Sequence, residues 1–157
     1  MEALPAGNEV QIPTNLTGCI NPGDADIFLG AGKELALRFS RSPFGIIAVK
    51  SQERKSEFSF RSLIHGPEKN EIFISGTIDL LFEDTQAVHV VDFKTDSQEN
   101  PAEHIAQMAC YYRAACDLFS VPKKKDCRIW LYYLRSGRAV EVTEQARNYD
   151  WGVGNSE

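Results

Sequence analysis

The chain has 157 residues, 43% hydrophobic and 25% charged, which suits one domain with one core. Its formal net charge of -5 argues against a general nucleic-acid-coating protein. No apolar run is long enough to span a bilayer, and MEALPAGNEVQIPTN lacks the regions of a signal peptide. The four cysteines, Cys19, Cys110, Cys116 and Cys127, form no CxxC pair, so they read as reduced thiols of a cytosolic protein rather than a zinc or iron–sulfur site.

Residues 1–20 have no clear period and read as a poorly ordered lead-in. Asn21-Pro22 opens a helix, Asn as cap and Pro in the first position, with Phe28, Ala31, Leu35 and Phe39 at helical spacing. Gly30 and Gly32 weaken it. Ser42-Pro43 repeats the start signal, and periodicity leaves FGIIAVK open between helix and strand.

From Glu57 the period becomes two. FSFRSLI predicts a strand with Phe58, Phe60 and Ser62 on one face, and HGPEKN, containing His65, a turn. EIFISGTIDLLF predicts a long strand in which Gly76 marks a bulge or a close backbone approach. DTQ turns the chain into AVHVVDFKT, whose near-continuous apolar run predicts a sheet covered on both faces.

Asn100, Pro101 and Glu103 give a cap, a first-turn proline and a capping box for a helix running to Phe119. His104, Gln107, Met108, Tyr111, Ala115 and Leu118 share one stripe, with a polar seam of His104, Gln107 and Tyr111 along its edge. VPKKKD is a basic turn, CRIWLYYL a strand, Ser136-Gly137 a turn and RAVEV a last strand. The chain thus divides into a lead-in (1–20), a central domain (21–143) and a polar tail (144–157) expected to fray. The fold class is α/β (α+β), a central mixed sheet flanked by helices.

Asp79 ends one predicted strand, and Asp92 and Lys94 end the next. Residues two apart in a strand share a face, so Asp92 and Lys94 stand side by side, with Val88 and Val90 behind them. Two carboxylates on adjacent strands can offer oxygens to a hard divalent cation, Mg²⁺ or Mn²⁺. Such an ion polarises phosphoryl oxygens, and Lys94 would stabilise developing charge or orient a water. Gln107 and Tyr111 could hydrogen-bond the phosphate or position Lys94. Taken alone, a D-x-K in a strand is more often an exposed salt-linked edge, and Lys123-Lys124-Lys125 more often a solvated turn than a DNA contact. His89 alternates away from Asp92 and reads as structural.

The ordered combination is more specific: Gly76-Thr77-Ile78-Asp79, then Val90-Val91-Asp92-Phe93-Lys94-Thr95-Asp96, then Gln107-Met108-Ala109-Cys110-Tyr111. Over about residues 35–143 it resembles the PD-(D/E)XK nuclease superfamily, and more closely the C-terminal nuclease domain of RecB- and AddA-type helicase–nucleases. Glu57-Phe58-Ser59-Phe60 is similar to that family's E-x-P-F segment without its proline. The resemblance implies a restriction-endonuclease-like fold. It implies metal ligation by Asp79, Asp92 and the Phe93 carbonyl, a catalytic Lys94, and support from Gln107 and Tyr111. It further implies Mg²⁺-dependent DNA hydrolysis, as an exonuclease in recombination and double-strand-break repair. The implied partners are DNA, helicase domains of the same parent protein and a second helicase–nuclease subunit; the setting is the bacterial cytoplasm and nucleoid, without a membrane.

One departure stands out. RecB-like members carry an upstream helix with a metal-binding histidine in a G-x-x-x-H setting, whereas no histidine precedes His65 here. That suggests either a fragment beginning after that helix or a lost ligand. A silent nuclease-like domain that binds DNA or a partner protein is therefore the alternative. No GxxxxGK[ST] phosphate loop, and no cysteine spacing of the iron–sulfur variant, is present in these residues.

Overall fold

A computed structural model of the chain describes residues 22–65, 71–120 and 123–151. The lead-in and its boundary at Asn21 lie outside them. Two helices come first, α1 (Pro22–Arg41) and α2 (Pro43–Lys50). Ser42 caps α2, its hydroxyl accepting the Gly45 N–H at 3.0 Å, which settles FGIIAVK as helix. The strands β1 (Arg54–His65), β2 (Glu71–Glu83), β3 (Ala87–Lys94), β4 (Asp126–Tyr133) and β5 (Arg138–Glu141) form one sheet in chain order. Only β3 and β4 pair in parallel. A parallel pair needs a crossover, and the helix α3 (Ile105–Ala115) supplies it across one face of the sheet.

Both faces are covered, as the apolar run in β3 predicts. On the α3 side, Met108, Tyr111 and Ala115 pack on Ile78, Val88, Val90, Ile129 and Leu131. On the other side, Phe39 of α1 with Phe44 and Ala48 of α2 pack on Leu80, Phe82, Val91 and Tyr132. The two faces also divide Tyr132 from Tyr133, so neither ring is on an outer surface.

The strands β1 and β2 turn over partway along. Phe58 and Ile78 face α3, while Ser56 and Leu80, each two residues away, face the α1 side. Strict alternation would keep each pair on one face. The change falls at Glu57 and Asp79, which lie between the paired rungs Ser56–Leu80 and Phe58–Ile78, and Glu57 takes φ +51°. Gly76 is not a bulge. It is a close approach, because a Cβ there would lie 3.1 Å from the rings of Phe60 and Tyr111.

Four expectations about the helices need correction. The helix expected over 100–119 is a 3-10 turn (Pro101–His104), then α3, then a π turn (Cys116–Ser120). Asn100 does not cap the backbone. Its amide donates to Glu103 Oε1 at 2.7 Å, because the tight first turn brings those two side chains together. The π turn shifts the phase of the residues at its end, so Leu118 leaves the buried stripe and is exposed. Ala31 in α1 is exposed too, while Leu35 and Phe39 are half-buried; the Phe28 side chain lies outside the described residues.

Of the tail, Thr143–Arg147 form a short helix, α4, rather than a frayed end. Val142 and Ala146 are buried, and Thr143 Oγ1 accepts the Ile129 N–H at 3.0 Å.

Candidate active site

Pairing between β2 and β3 ends at Leu80–Val91. Just beyond it the strands part, and a carboxylate replaces the ladder: Asp79 Oδ2 accepts the Phe93 N–H at 2.8 Å. The acidic residue on β2 is thereby fixed to the backbone of the D-F-K strand.

Asp92 faces α3 with Val88 and Val90 behind it and is 3% exposed. Burial pushes its carboxyl pKa up and the Asp79 charge adds to this, while the Lys94 ammonium opposes both. Lys94 Nζ lies 2.7 Å from Asp92 Oδ2. Oδ2 is a buried oxygen whose partner is this ammonium, and a carboxylate oxygen with one such partner keeps acceptor capacity.

Gln107 closes the group. Its Oε1 accepts from Lys94 Nζ at 3.1 Å, and its Nε2 donates to Asp92 Oδ1 at 3.2 Å and to the Tyr111 hydroxyl at 2.8 Å. The amide orientation is fixed by this, since a flipped amide would set its NH₂ against the ammonium. With its oxygen taking that N–H, the Tyr111 hydroxyl gives its own hydrogen to the Thr77 carbonyl at 2.7 Å. Burial raises the Tyr111 pKa, which keeps it a donor.

The end of β3 is held from outside as well. Leu134 N–H donates to the Lys94 carbonyl at 2.9 Å, Arg135 Nε donates to the Thr95 carbonyl at 2.8 Å, and Arg38 of α1 donates to the Arg135 carbonyl. His104 pairs with Asp96 at 3.0 Å, so the polar seam of the helix reaches the D-F-K-T-D run at a second point. The contributions of Thr77, Arg135 and Arg38 carry no sequence signal, since they are made through backbone carbonyls.

Asp79 and Phe93 also line a cleft of about 570 Å³ on the α1 side. From α1 this cleft receives Gly32, Leu35, Ala36 and Phe39, none of them a metal-ligating side chain. Ala36 comes four residues after Gly32, the spacing of the G-x-x-x-H setting, with alanine in place of histidine. His65 is not in a turn. It is the last residue of β1, because the extended pairing with β2 runs through to Glu71. A second concavity, about 540 Å³ and lined by Asp126, Arg128, Glu141 and Arg147, lies by the start of β4, at the opposite end of the parallel pair.

Asp79, Asp92, Phe93, Lys94, Gln107 and Tyr111 therefore gather where β2 leaves β3, at the carboxyl end of the parallel strands, where open α/β sheets bind ligands. Among the described residues no three His, Cys, Asp or Glu side chains form a metal-ligating group, and the site offers two carboxylates. The buried Asp92 Oδ2 is the atom that best fits a cation.

Two features lie elsewhere. His89 Nδ1 accepts from Trp130 Nε1 at 3.1 Å, which makes Nε2 the donor to Asp84 at 2.9 Å, on the α2 side. Of the basic turn, Lys123 and Lys125 pair with the buried Glu83, whose pKa they hold down although burial pushes it up. No described helix is long and apolar enough to cross a membrane.

The family model of the PD-(D/E)XK nuclease superfamily matches residues 27–151. An ATP-dependent helicase/nuclease subunit from Clostridium acetobutylicum is 25% identical over 121 residues, covering 68% of this chain and 10% of that protein. The chain thus spans about a tenth of that relative's length. The five-stranded mixed sheet with helices on both faces is the restriction-endonuclease-like α/β fold of the superfamily.

Proposed function

Since the chain belongs to the PD-(D/E)XK nuclease superfamily, we propose that it is a divalent-metal-dependent DNA nuclease domain, hydrolysing phosphodiesters as an exonuclease. The observation that carries this reading is the closed set Asp92–Lys94–Gln107–Tyr111 set against the Asp79–Phe93 tie. A salt-linked strand edge would leave Asp92 in solvent; here it is buried close to the like charge of the half-buried Asp79.

Members of the superfamily generally use divalent metal ions. Asp79, Asp92 and the Phe93 carbonyl would hold Mg²⁺ or Mn²⁺, the hard oxygen donors such ions take. When bound, the ion supplies Lewis acidity and a lowered pKa for its water. Lys94 then has its ammonium at the reacting phosphate, where negative charge develops. Gln107 keeps Lys94 and Asp92 in register, and Tyr111 anchors Gln107 to the β2 backbone.

The relative's name, a helicase/nuclease subunit, supports a helicase setting. We further propose DNA as substrate, helicase domains in the same parent protein and a second subunit, with a role on the bacterial chromosome in recombination and double-strand-break repair.

A second reading is a nuclease-like domain that binds DNA or a partner protein without cutting. The observation favouring it is Ala36, which puts no ligand on the cleft wall facing Asp79.

Calorimetric titration of Mn²⁺ into the parent and into Asp92→Ala, beside a nuclease assay on linear single- and double-stranded DNA, separates the two. Metal binding that Asp92→Ala removes, together with cutting by the parent, is the expected result. Binding without cutting favours the second reading, and no binding at all overturns the metal site.

A further inference from the structure

Past Leu80, β2 leaves β3 and pairs with β1 alone among the described residues, so the two strands form an arm. Its inner face buries Phe60, Ile64, Ile74 and Ile78 toward α3. Its outer face carries, in order away from Asp79, the rungs Ser59 opposite Thr77, Arg61 opposite Ser75, and Leu63 opposite Phe73, before the ladder closes at His65–Glu71. The Ser59 and Thr77 hydroxyls share a hydrogen bond of 3.2 Å. Phe73 is 64% exposed and Leu63 47%. Asp79 stands on this same outer side, since Ile78 between it and Thr77 points into the core.

We infer that this outer face is a track for a single strand of DNA, with Arg61 and the hydroxyls on its phosphates and Phe73 stacked on a base. The inference rests on the nuclease reading for one thing only, the direction of the strand toward Asp79. Three observations favour this occupant. The rungs nearest the carboxylate are hydroxyls and a guanidinium, donors that suit phosphate oxygens. The apolar rung is the third, followed only by the closing pair His65–Glu71, and is one residue pair wide, enough for a base face and small for a protein interface. A duplex hides its base faces, whereas a single strand presents them. Phe73 lies six residues from Asp79, about 20 Å at the rise of a strand, a span of several nucleotides.

The test is fluorescence anisotropy with a labelled oligothymidylate of about twelve nucleotides, in EDTA so that no metal-dependent cutting intrudes. The proteins are the parent, Phe73→Ala, Phe73→Trp, Arg61→Ala and, as a control away from the arm, the similarly exposed Leu118→Ala. Phe73→Ala should weaken binding about tenfold, Phe73→Trp should retain it, and Leu118→Ala should match the parent. Arg61→Ala should lower the slope of log affinity against log salt by about 0.7.

Equal affinities across the set, or no binding by the parent, overturn the track. So does a Phe73→Ala that alters sedimentation but not anisotropy, since that assigns the rung to a second protein copy. A Mn²⁺ cleavage assay keeps the two ideas apart. Phe73-dependent binding without cutting leaves the track and sinks the nuclease reading; cutting without Phe73 dependence does the reverse.

Discussion

Glu57 and Asp79 stand across from each other on β1 and β2, and at this one level both strands turn over. The left-handed backbone of Glu57, φ +51°, lets the turn happen without breaking the register. It is what sends Asp79 and Leu80 to the α1 side while Ile78 stays in the α3 core. A left-handed residue with a Cβ costs about 1–2 kcal/mol, most of all when β-branched. Glu57→Val should therefore be less stable than Glu57→Gly by at least about 1 kcal/mol, measured by urea denaturation. Equal stabilities would mean that Glu57 does not set the turn.

On the proposed reading Lys94 contributes charge rather than fold. Lys94→Ala should cut linear DNA about 10²–10³-fold more slowly, the loss typical of one electrostatic stabiliser. Its Mn²⁺ affinity should hold or rise, because Asp92 loses a competing cation. Parent-like cutting by Lys94→Ala would remove the lysine from the chemistry.

Tyr111 is a strut between α3 and β2. Removing its hydroxyl orphans one Gln107 N–H and the Thr77 carbonyl. Tyr111→Phe should cost about 1–3 kcal/mol in chemical denaturation. If Gln107 is the positioning group, the variant should also change kcat more than KM.

Gly76 keeps that strut in place. Gly76→Ala sets a methyl 3.1 Å from the Tyr111 and Phe60 rings, so the rings must shift. A loss of about 1–3 kcal/mol is expected. Phe60→Leu, which shortens one of the two rings, should recover part of it in a double-mutant cycle.

Asp84 gives the fold an acid limb. Burial would raise its pKa, but the His89 ring N–H and the backbone N–H groups of Ala87 and Gln86 lower it from 3.8 to about 2. A depressed carboxyl stabilises the fold above its unfolded value and loses that contribution as pH falls through the folded one. The side chain is 36% exposed, so solvent screening keeps the contribution near 1 kcal/mol. Asp84→Asn should be less stable at neutral pH, and the gap should close between pH 3.8 and about 2. A gap that persists in acid would assign the effect to geometry instead.

The sequence made the strands legible because their period, turns and composition agreed. EIFISGTIDLLF and AVHVVDFK lie within Glu71–Glu83 and Ala87–Lys94, and FSFRSLI within Arg54–His65, which starts earlier than the alternation does and takes in His65. The gathering of Asp92, Lys94, Gln107 and Tyr111 was legible for a similar reason: i, i+2 on a strand and i, i+4 on a helix fix a face before any tertiary contact is known. The turn at Glu57 was not, because no glycine or asparagine announced a left-handed residue. The π turn was hidden as well, since one added residue changes phase without changing composition. Asn100 misled because its side chain had a nearer partner in Glu103 than any backbone amide.

The candidate site draws on two parts of the chain with unequal attachments. Asp92, Lys94 and Gln107 belong to the contiguous β3–α3–β4 crossover, paired along eight residues from Ala87–Asp126 to Lys94–Tyr133. Asp79 belongs to the β1–β2 hairpin, joined to β3 by four rungs, Leu80–Val91 to Glu83–Val88. Sub-global opening of the hairpin would carry Asp79 off and leave the lysine and its partners assembled. Amide exchange should then be faster across residues 71–79 than across 87–94, and a cation bridging Asp79 and Asp92 should slow it at both. Divalent ions would thus act on this protein as a clasp between two folding units, with a thermal midpoint that rises with their concentration.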